Sequence, residues 1–375
     1  MKSFLSLLIA FILNRAAFSQ GLVSRLDTGS INGVSYKIIF PDKWKAKLVV
    51  YAHGYEIMGN LPRQSRDPRF LSDMAPFLER GFAVAASDYS TQGYAIPEGV
   101  ENTETLRQYF VKTYGTPDSA FIVGHSMGGG IVLATLENFG KFYDGGLPLC
   151  PLSSRSYIQL RKEFDMYATF NGLFPGIVPR LSEIFDLSKP EPAIPNNGIG
   201  VQINTIRKAI IEKDSALGVA FARHFELKFY DLPFSLYFNE IVLRDIARKA
   251  KGNPIDNTNT VYSGFPNDWE INQKAERLAA TVDPDDLLGK FDRTGNIDKP
   301  VVLMHTLYDQ LIPPAYGVVN YENMVHQKGK DKYFTVKYTN GQGHCAFSGR
   351  QMGEAFDELR NWVKTGSKAK AGSLQ

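Results

Sequence analysis

The sequence predicts an α/β fold in which helices flank a mostly parallel sheet, and three observations lead to this prediction. Short apolar, β-branched runs such as Lys47 to Ala52 are typical of strands that are buried on both faces. These runs alternate with segments of helical periodicity, which is the pattern of right-handed strand–helix–strand crossovers. In addition, Ser126 stands between flanking glycines at the point where one predicted strand gives way to a helix.

Composition and charge narrow the class of protein. The chain has 375 residues, of which 43% are hydrophobic, so it can bury a large core. Its formal net charge is only +3, which gives no reason to propose nucleic acid or a charged membrane surface as a partner. We interpret the basic tail around Lys364, Lys368 and Lys370 as a solvated terminus.

The first 19 residues are typical of a secretory signal. Lys2 supplies the positive start, and Phe4 to Leu13 is an apolar run too short to cross a bilayer. Ala17 and Ser19 are small residues placed for cleavage before Gln20. We therefore expect a secreted or periplasmic protein without a stable membrane span, the alternative being a buried N-terminal helix.

The predicted elements follow one another in a regular order up to residue 151. A β-hairpin around Asn32-Gly33 is expected first, within Gly21 to Phe40. The remaining predictions for this part are strands at Lys47–Ala52, Ala83–Ala86, Ala120–Val123 and Gly146–Cys150, and helices at Pro68–Arg80, Glu101–Tyr114 and Gly128–Phe139.

The alternation of strands and helices stops after Cys150 and resumes near Pro300. Between them lie mixed helical stretches, such as Gln202–Ala222 and Pro233–Lys251, separated by joints rich in proline and glycine. We therefore predict a core of residues 20–151 and 299–375, interrupted by an insertion of residues 152–298. The second core segment is expected to hold strands at Pro300–Thr306 and Lys332–Tyr338 and helices at Tyr316–Lys328 and Gln351–Lys364.

The motif Gly124-His125-Ser126-Met127-Gly128 carries the clearest chemical signal. It has the G-x-S-x-G pattern of a nucleophile elbow in the strand–turn–helix setting that the elbow requires. Glycines are needed because a serine on so tight a turn leaves no room for side chains two residues away. The helix N-terminus behind the serine offers backbone N–H groups to a developing oxyanion.

A serine hydroxyl needs a base beside it, and His344 is the best candidate among the histidines. It lies in the flexible Gly341-Gln342-Gly343-His344 loop between the last predicted strand and the last helix. Asp309, in the loop after the Pro300–Thr306 strand, is the expected acid that orients the base. Asp88, which also ends a strand, is the alternative acid, although it precedes the serine.

The chain contains two cysteines, Cys150 and Cys345. Cys150 ends a strand near the elbow and Cys345 follows the candidate base, so the histidine loop is expected to pass close to Cys150. We predict a disulfide that holds the base in place, with two buried free thiols as the alternative. Their spacing offers too few ligands for a metal site.

These residues together with His53-Gly54 resemble the α/β-hydrolase superfamily over Ser35 to Cys150 and Pro300 to Lys364. The resemblance implies an eight-stranded, mostly parallel sheet with the Ser126, Asp309 and His344 triad on loops at its C-terminal edge. It also implies an oxyanion hole formed at His53-Gly54-Tyr55, with the backbone N–H groups of Met127 and Tyr55 as donors. The insertion after the sixth strand lies where that family carries a lid, and no cofactor or metal is implied.

The expected activity is hydrolysis of a carboxylic ester or related acyl bond in a small molecule with an apolar part. The apolar part is suggested by the many aromatic residues of the insertion, most of which are expected to pack in its own core. A peptidase of the same fold is the nearest alternative, and a catalytically silent binding protein is a further one. The sequence leaves the oligomeric state open.

Overall fold

The computed structural model describes residues 22–59, 61, 63–189 and 198–374. The predicted signal segment of residues 1–19 lies outside this range. The described chain forms two compact units. The core unit takes the described residues up to Ser153 together with 293–307 and 317–374, and the inserted unit takes those of 154–292 together with 308–316. None of the helices within the described residues combines the length and the apolar character needed to cross a membrane.

The core unit contains a nine-stranded mixed sheet with the strand order β1-β2-β4-β3-β5-β6-β7-β8-β9. β1 pairs antiparallel with β2, and β2 antiparallel with β4, whereas β4-β3-β5-β6-β7 is parallel throughout. The predicted α/β class is therefore confirmed. The strands are β1 (Val23–Ile31), β2 (Val34–Pro41), β3 (Lys47–Ala52), β4 (Ala83–Ser87), β5 (Ser119–His125), β6 (Gly145–Leu149), β7 (Val301–Tyr308), β8 (Phe334–Gln342) and β9 (Gly372–Ser373).

Helices on the core segments follow the strands as the sequence pattern predicts. Their apolar faces pack on the sheet, and the rings of Phe77, Phe121 and Phe356 meet there with Phe356 at the centre, 5.1 and 5.2 Å from the other two. The helices are α1 (Phe70–Leu78), α2 (Ile96–Tyr114) and α3 (Met127–Phe139) before the insertion, and α10 (Asn320–Gln327) and α11 (Gly349–Thr365) after it. Short 3-10 turns lie at Gln64–Arg66, Gly140–Phe142 and Asp331–Tyr333.

The C-terminal tail differs from the solvated terminus expected from its lysines. Gly372 and Ser373 form β9, which runs parallel to the end of β8 and adds a ninth strand to the eight expected. The backbone N–H of Leu374 donates to the carbonyl of Tyr338 at 2.8 Å, and Lys368 Nζ donates to the carbonyl of Asp331 at 2.7 Å. The lysine head groups stay near water while the backbone between them covers the edge of the sheet.

The inserted unit is mainly helical and has its own aromatic core. Phe170 stacks on Phe174 with ring centroids 4.9 Å apart and meets the ring of Phe221 at 5.4 Å. Its helices are α4 (Ser156–Leu173), α5 (Leu181–Ile184), α6 (Ile199–His224), α7 (Leu232–Ala250), α8 (Asp268–Lys274) and α9 (Pro284–Leu288). A five-residue π-helical turn, Ala315–Val319, begins where the loop after β7 ends.

A long segment of the inserted unit, residues 251–283, holds little regular structure and is organised by buried side-chain amides. Asn253 Nδ2 donates to the carbonyls of Ile255 and Ala279, at 2.7 and 2.9 Å. Asn257 Nδ2 donates to the carbonyl of Glu276 at 2.8 Å. These amides satisfy backbone groups that a helix or sheet would otherwise pair, so the segment folds without a hydrophobic period.

Candidate active site

The candidate nucleophile lies on a sharp turn between β5 and α3. Ser126 has backbone angles φ 59° and ψ −123°, a conformation that costs a non-glycine residue roughly 1–3 kcal/mol. Its N–H donates to the carbonyl of Leu149 on β6 at 2.9 Å, and its carbonyl accepts from the N–H of Leu152, also at 2.9 Å. The strained serine is thus held through its N–H by the last residue of β6 and through its carbonyl by the segment that follows β6.

The glycines of the elbow are required by close backbone contacts. A Cβ on Gly128 would lie 2.6 Å from the carbonyl oxygen of His53, and a Cβ on Gly124 would lie 2.7 Å from that of Ala52. Real Cβ atoms essentially never approach so closely, and the obstacles are backbone atoms that cannot turn away. The steric reason inferred from the sequence for these two glycines therefore holds in the structure.

The candidate base is within hydrogen-bond distance of the candidate nucleophile. His344 Nε2 lies 2.8 Å from Ser126 Oγ, although the two residues are 218 positions apart in sequence. His344 belongs to the short connection between β8 and α11. Thr306 on β7 anchors this connection, because its Oγ1 donates to the carbonyl of Gly343 at 3.2 Å. Thr306 carried no signal of this role in the sequence.

Cys150 and Cys345 are joined by a disulfide with their Cα atoms 5.3 Å apart. Cys150 directly follows β6 and its N–H donates to the carbonyl of Met304 at 2.7 Å, so one end of the bridge is anchored in the sheet. The other end is the neighbour of His344. The two sulfurs and the imidazole lie within 4.8 Å of one another, an arrangement that could resemble a metal site. The disulfide removes the thiolates that would bind the metal.

The loop expected to form the oxyanion hole passes directly beside the elbow. A Cβ on Gly54 would lie 3.3 Å from the Cβ of Ser126. The ring of His53 stacks on Tyr89 at 3.8 Å and its Nδ1 donates to the carbonyl of Gly54 at 2.8 Å. Tyr89 Oη in turn donates to the carbonyl of His53 at 3.1 Å. Tyr89 therefore fixes this loop, a role that sequence reasoning missed.

The two predicted oxyanion donors are the backbone N–H groups of Tyr55 and Met127. Tyr55 follows Gly54 and is half-buried, and Met127 is the first residue of α3. The N–H of a first helical residue has no acceptor within its own helix, so it can face a ligand. Burial lowers the pKa of His53, which keeps the ring neutral and its Nδ1–H pointed at the carbonyl.

The elbow histidine packs into the sheet. His125 Nδ1 lies 3.0 Å from Tyr51 Oη on the adjacent strand β3. Desolvation, and then the charge of His344, lower the pKa of His125 to about 4. The side chain is therefore neutral at physiological pH, and its hydrogen bond to Tyr51 links the serine turn to β3.

Asp309, the predicted acid, belongs to the inserted unit, in the loop that follows β7. Its side chain is buried, with 1% exposure, and Oδ1 accepts the backbone N–H groups of Leu311 and Ile312, both at 2.9 Å. The two bonds set the orientation of the carboxylate. The alternative acid, Asp88, lies in the core unit and its carboxylate accepts the N–H and Oγ–H of Ser65, at 2.8 and 2.7 Å.

The predicted boundaries of the insertion need adjustment. Residues 152–153 and 293–298, expected in the insertion, belong to the core unit, and residues 308–316, expected in the core, belong to the inserted unit. The loop that bears Asp309 thus follows a core strand in sequence and packs with the insertion.

The order of the sheet, the serine turn after β5 and the histidine loop after β8 decide the architecture. The chain has the α/β-hydrolase fold. Among solved structures, the chain is similar to Est1E from Butyrivibrio proteoclasticus, at 15% identity and a TM-score of 0.45 over 91% of this chain and 99% of that one. An esterase of Pyrococcus furiosus is 12% identical, with a TM-score of 0.45 over 92% of this chain and 93% of that one.

An acylaminoacyl peptidase of Pyrococcus horikoshii is 11% identical with a TM-score of 0.42, over 92% of this chain and 41% of that one. No protein-family model matches the sequence, and a search of curated proteins finds no match. Because these identities are low, we infer the chemistry of the site from the residues of this chain alone.

Proposed function

We propose that the protein is a serine hydrolase that cleaves carboxylic ester or related acyl bonds through Ser126, His344 and Asp309. The observation that carries this proposal is the distance of 2.8 Å between His344 Nε2 and Ser126 Oγ, at a serine on a strained strand-to-helix turn. A positive φ angle strains a serine, and the need of a nucleophile to stand clear of the sheet gives a reason for this strain.

The proposed reaction has two halves. His344 Nε2 takes the proton of Ser126 as the hydroxyl attacks the substrate carbonyl, and the developing oxyanion is held by the N–H groups of Met127 and Tyr55. His344 then protonates the leaving group, and an acyl-enzyme remains on Ser126. Water, activated by the same imidazole, releases the acid. In this scheme Asp309 orients the imidazole and stabilises its charged form.

The proposed substrate is a small-molecule ester with an apolar part. Support comes from the aromatic residues of the inserted unit, because several of them do not enter its core. Phe164, Phe170 and Phe221 are fully buried, whereas Phe234 and Phe238 stay half-buried with their rings 6.1 Å apart. Partly exposed aromatic rings on a helix are suited to contact an apolar acyl or aryl group.

We also propose that the mature protein acts outside the cytoplasm. The signal-like segment before Gln20 supports export, and so does a disulfide between the only two cysteines of the chain, because such bonds persist in oxidising compartments. Expression of the full sequence in a secretion-competent host should yield an exported form that starts at or near Gln20. Intact-mass measurement of the exported protein checks this. Retention of the whole chain inside the cell would contradict it.

The nucleophile is tested by Ser126→Ala, with Ser72→Ala on an exposed face of α1 as the matched control. We expect Ser126→Ala to lower kcat on p-nitrophenyl esters by a factor of about 10⁴ or more and to abolish labelling by a fluorophosphonate probe. Ser72→Ala should retain both. Circular dichroism and a thermal melt check that both variants fold. A folded Ser126→Ala variant with wild-type turnover would refute the proposal.

The bond that is cleaved is tested with a substrate panel. It comprises p-nitrophenyl esters of increasing acyl length, feruloyl methyl ester and aminoacyl anilides. We expect kcat/KM to be highest on one of the esters and to increase with apolar contact area. Preference for an aminoacyl anilide over every ester would instead identify a peptidase that uses the same three residues.

A further inference from the structure

The loop that carries Asp309 is fastened to the inserted unit by several side chains. The loop follows β7, whose last residue, Tyr308, belongs to the same unit as the loop, and every one of the contacts below lies inside that unit. Such loops usually depend on their own turns for their shape. Here side chains of the insertion also hold the loop at several positions, so its conformation depends on contacts from outside it as well as on its own turn.

Lys162, on α4, makes one of these contacts from a buried position. Lys162 is 8% exposed, and its Nζ donates to the carbonyl of Leu311 at 3.0 Å. A lysine that is only 8% exposed is rare in a folded protein unless it is paired.

The charges that face Lys162 include Asp309 itself. Three carboxylates favour the charged form of the ammonium: Glu163, Asp309 and Glu226. Burial acts against them and lowers the pKa of Lys162. Burial raises the pKa of Glu163, which Lys162 and a 3.0 Å hydrogen bond from Gln159 oppose. The aromatic ring of Tyr316, at the end of the loop, lies 5.6 Å from the ammonium.

Other side chains of the insertion hold the loop on either side of Asp309. Tyr308, at the start of the loop, is held through its hydroxyl and its ring, and the carbonyls of later loop residues accept from serines. The contacts are Tyr308 Oη to Asp231 Oδ2 at 2.5 Å, Lys228 N to Tyr308 Oη at 3.0 Å, Ser235 Oγ to the Gln310 carbonyl at 3.2 Å and Ser154 Oγ to the Tyr316 carbonyl at 2.6 Å.

We propose that the inserted unit positions the acid of the triad, with Lys162 as the main positioning residue. This inference rests on the proposed function, in which Asp309 orients His344. The Lys162 hydrogen bond fixes the backbone two residues after Asp309, at the same peptide segment whose N–H groups bind the Asp309 carboxylate. The insertion therefore holds the proposed acid in place through contacts within its own unit.

The inference is tested with Lys162→Met and Lys162→Arg, and Lys208→Met on the exposed side of α6 is the matched control. Methionine keeps the length of the chain and removes the charge. Because buried Glu163 then loses a neighbouring cation, we also expect a loss of stability, and circular dichroism with a thermal melt checks that the variant folds. We expect Lys162→Met to lower kcat on the best ester between about tenfold and a hundredfold with KM within about twofold, because misplacement of a triad member acts on the chemical step.

The pH dependence separates positioning from a merely structural role. Loss of a cation near Asp309 raises the proton affinity of the acid and of the base that it orients, so the acid limb of kcat/KM should move to higher pH in Lys162→Met. Lys162→Arg, which keeps the charge, should recover most of the wild-type kcat and return the acid limb of kcat/KM to its wild-type pH. Lys208→Met should match the wild type in every measurement.

The outcomes separate this inference from the proposed function. Wild-type protein that neither turns over esters nor reacts with a fluorophosphonate would refute the proposed function. Active wild type with a folded Lys162→Met variant of unchanged kcat and pH profile would overturn only the positioning role, as would equal impairment of the Met and Arg variants. If Lys162→Met does not fold, Ser235→Ala decides, with a severalfold loss of kcat expected and wild-type activity overturning the inference.

Discussion

The core unit and the inserted unit hold their candidate catalytic groups in different ways. In the core unit, Ser126 and His344 stand on loops whose ends are fixed by β5 and β8, and a disulfide locks the histidine loop to the sheet. In the inserted unit, Asp309 stands on a loop held by side-chain hydrogen bonds such as that of Lys162. The difference teaches that a regular sheet positions residues through its backbone, whereas an irregular unit does so through individual buried polar side chains.

The largest difference in activity between variants of the two units is expected from a pair of glycine-to-alanine substitutions, one in each unit. Gly128→Ala places a Cβ 2.6 Å from the His53 carbonyl oxygen, so the elbow must shift, and we expect at least a hundredfold loss of kcat/KM with a destabilisation of about 1–3 kcal/mol. Gly200→Ala in α6 meets nothing within 4 Å and should leave both unchanged. Thermal melts and ester kinetics measure the pair. A fully active Gly128→Ala variant would show that the turn is not under steric control.

A second prediction concerns the Cys150–Cys345 disulfide of the core unit. Replacing both Cys150 and Cys345 by alanine should destabilise the protein by about 2–5 kcal/mol and lower kcat, because the loop next to His344 loses its anchor. Reductant should have a similar effect on the wild type and none on the double variant, since the chain has no other cysteine. Melting temperature and kcat with and without reductant check this. Equal sensitivity of both proteins to reductant would contradict the assignment.

The smallest effect is expected from the pH dependence of stability. The pKa of His125 is lowered to about 4 in the fold, below its ordinary value, so its contribution to stability is complete above about pH 6.5 and is lost as the pH falls towards 4. The loss is at most about 3 kcal/mol, because the residue keeps some solvent exposure. His125→Gln should flatten the fall in melting temperature between pH 6.5 and 4.

The control for this prediction comes from the other unit. His224 is exposed on the inserted unit, and His224→Gln should keep the wild-type slope. If His125→Gln loses melting temperature with falling pH as steeply as the wild type, the desolvation of this histidine does not contribute to acid sensitivity.

Sequence reasoning reached most of the core unit because its signals are local. The hairpin around Asn32-Gly33 forms β1 and β2, and the serine turn lies between β5 and α3 as the glycine spacing predicts. The histidine loop follows β8, and Cys150 and Cys345 are bonded. The hairpin and the serine turn depend on a strand period, turn residues or a steric demand that a short segment expresses by itself. The disulfide joins residues 195 positions apart, and its prediction came from the places of the two cysteines beside the elbow and the candidate base.

Other features escaped the sequence because they depend on partners far away in the chain. Tyr89 and Thr306 hold the loops of Gly54 and His344 through single hydrogen bonds, and nothing in their neighbourhoods marks that role. The two-residue strand β9 is too short to have a period, and it forms only because β8 presents an open edge. Irregular segments such as 251–283 are held by amides whose acceptors are up to 26 residues away.

By itself, the sequence determined the α/β class and the sharp turn at Ser126, because local patterns of hydrophobicity and glycine spacing suffice for each of these. Only the tertiary structure decided that His344 lies 2.8 Å from Ser126 and that the loop of Asp309 packs with the inserted unit. The physical reason is that hydrogen bonds between distant segments, and the burial that accompanies them, exist only in the folded chain. The partner of a polar residue such as Lys162 therefore cannot be identified from the residues near it in the sequence.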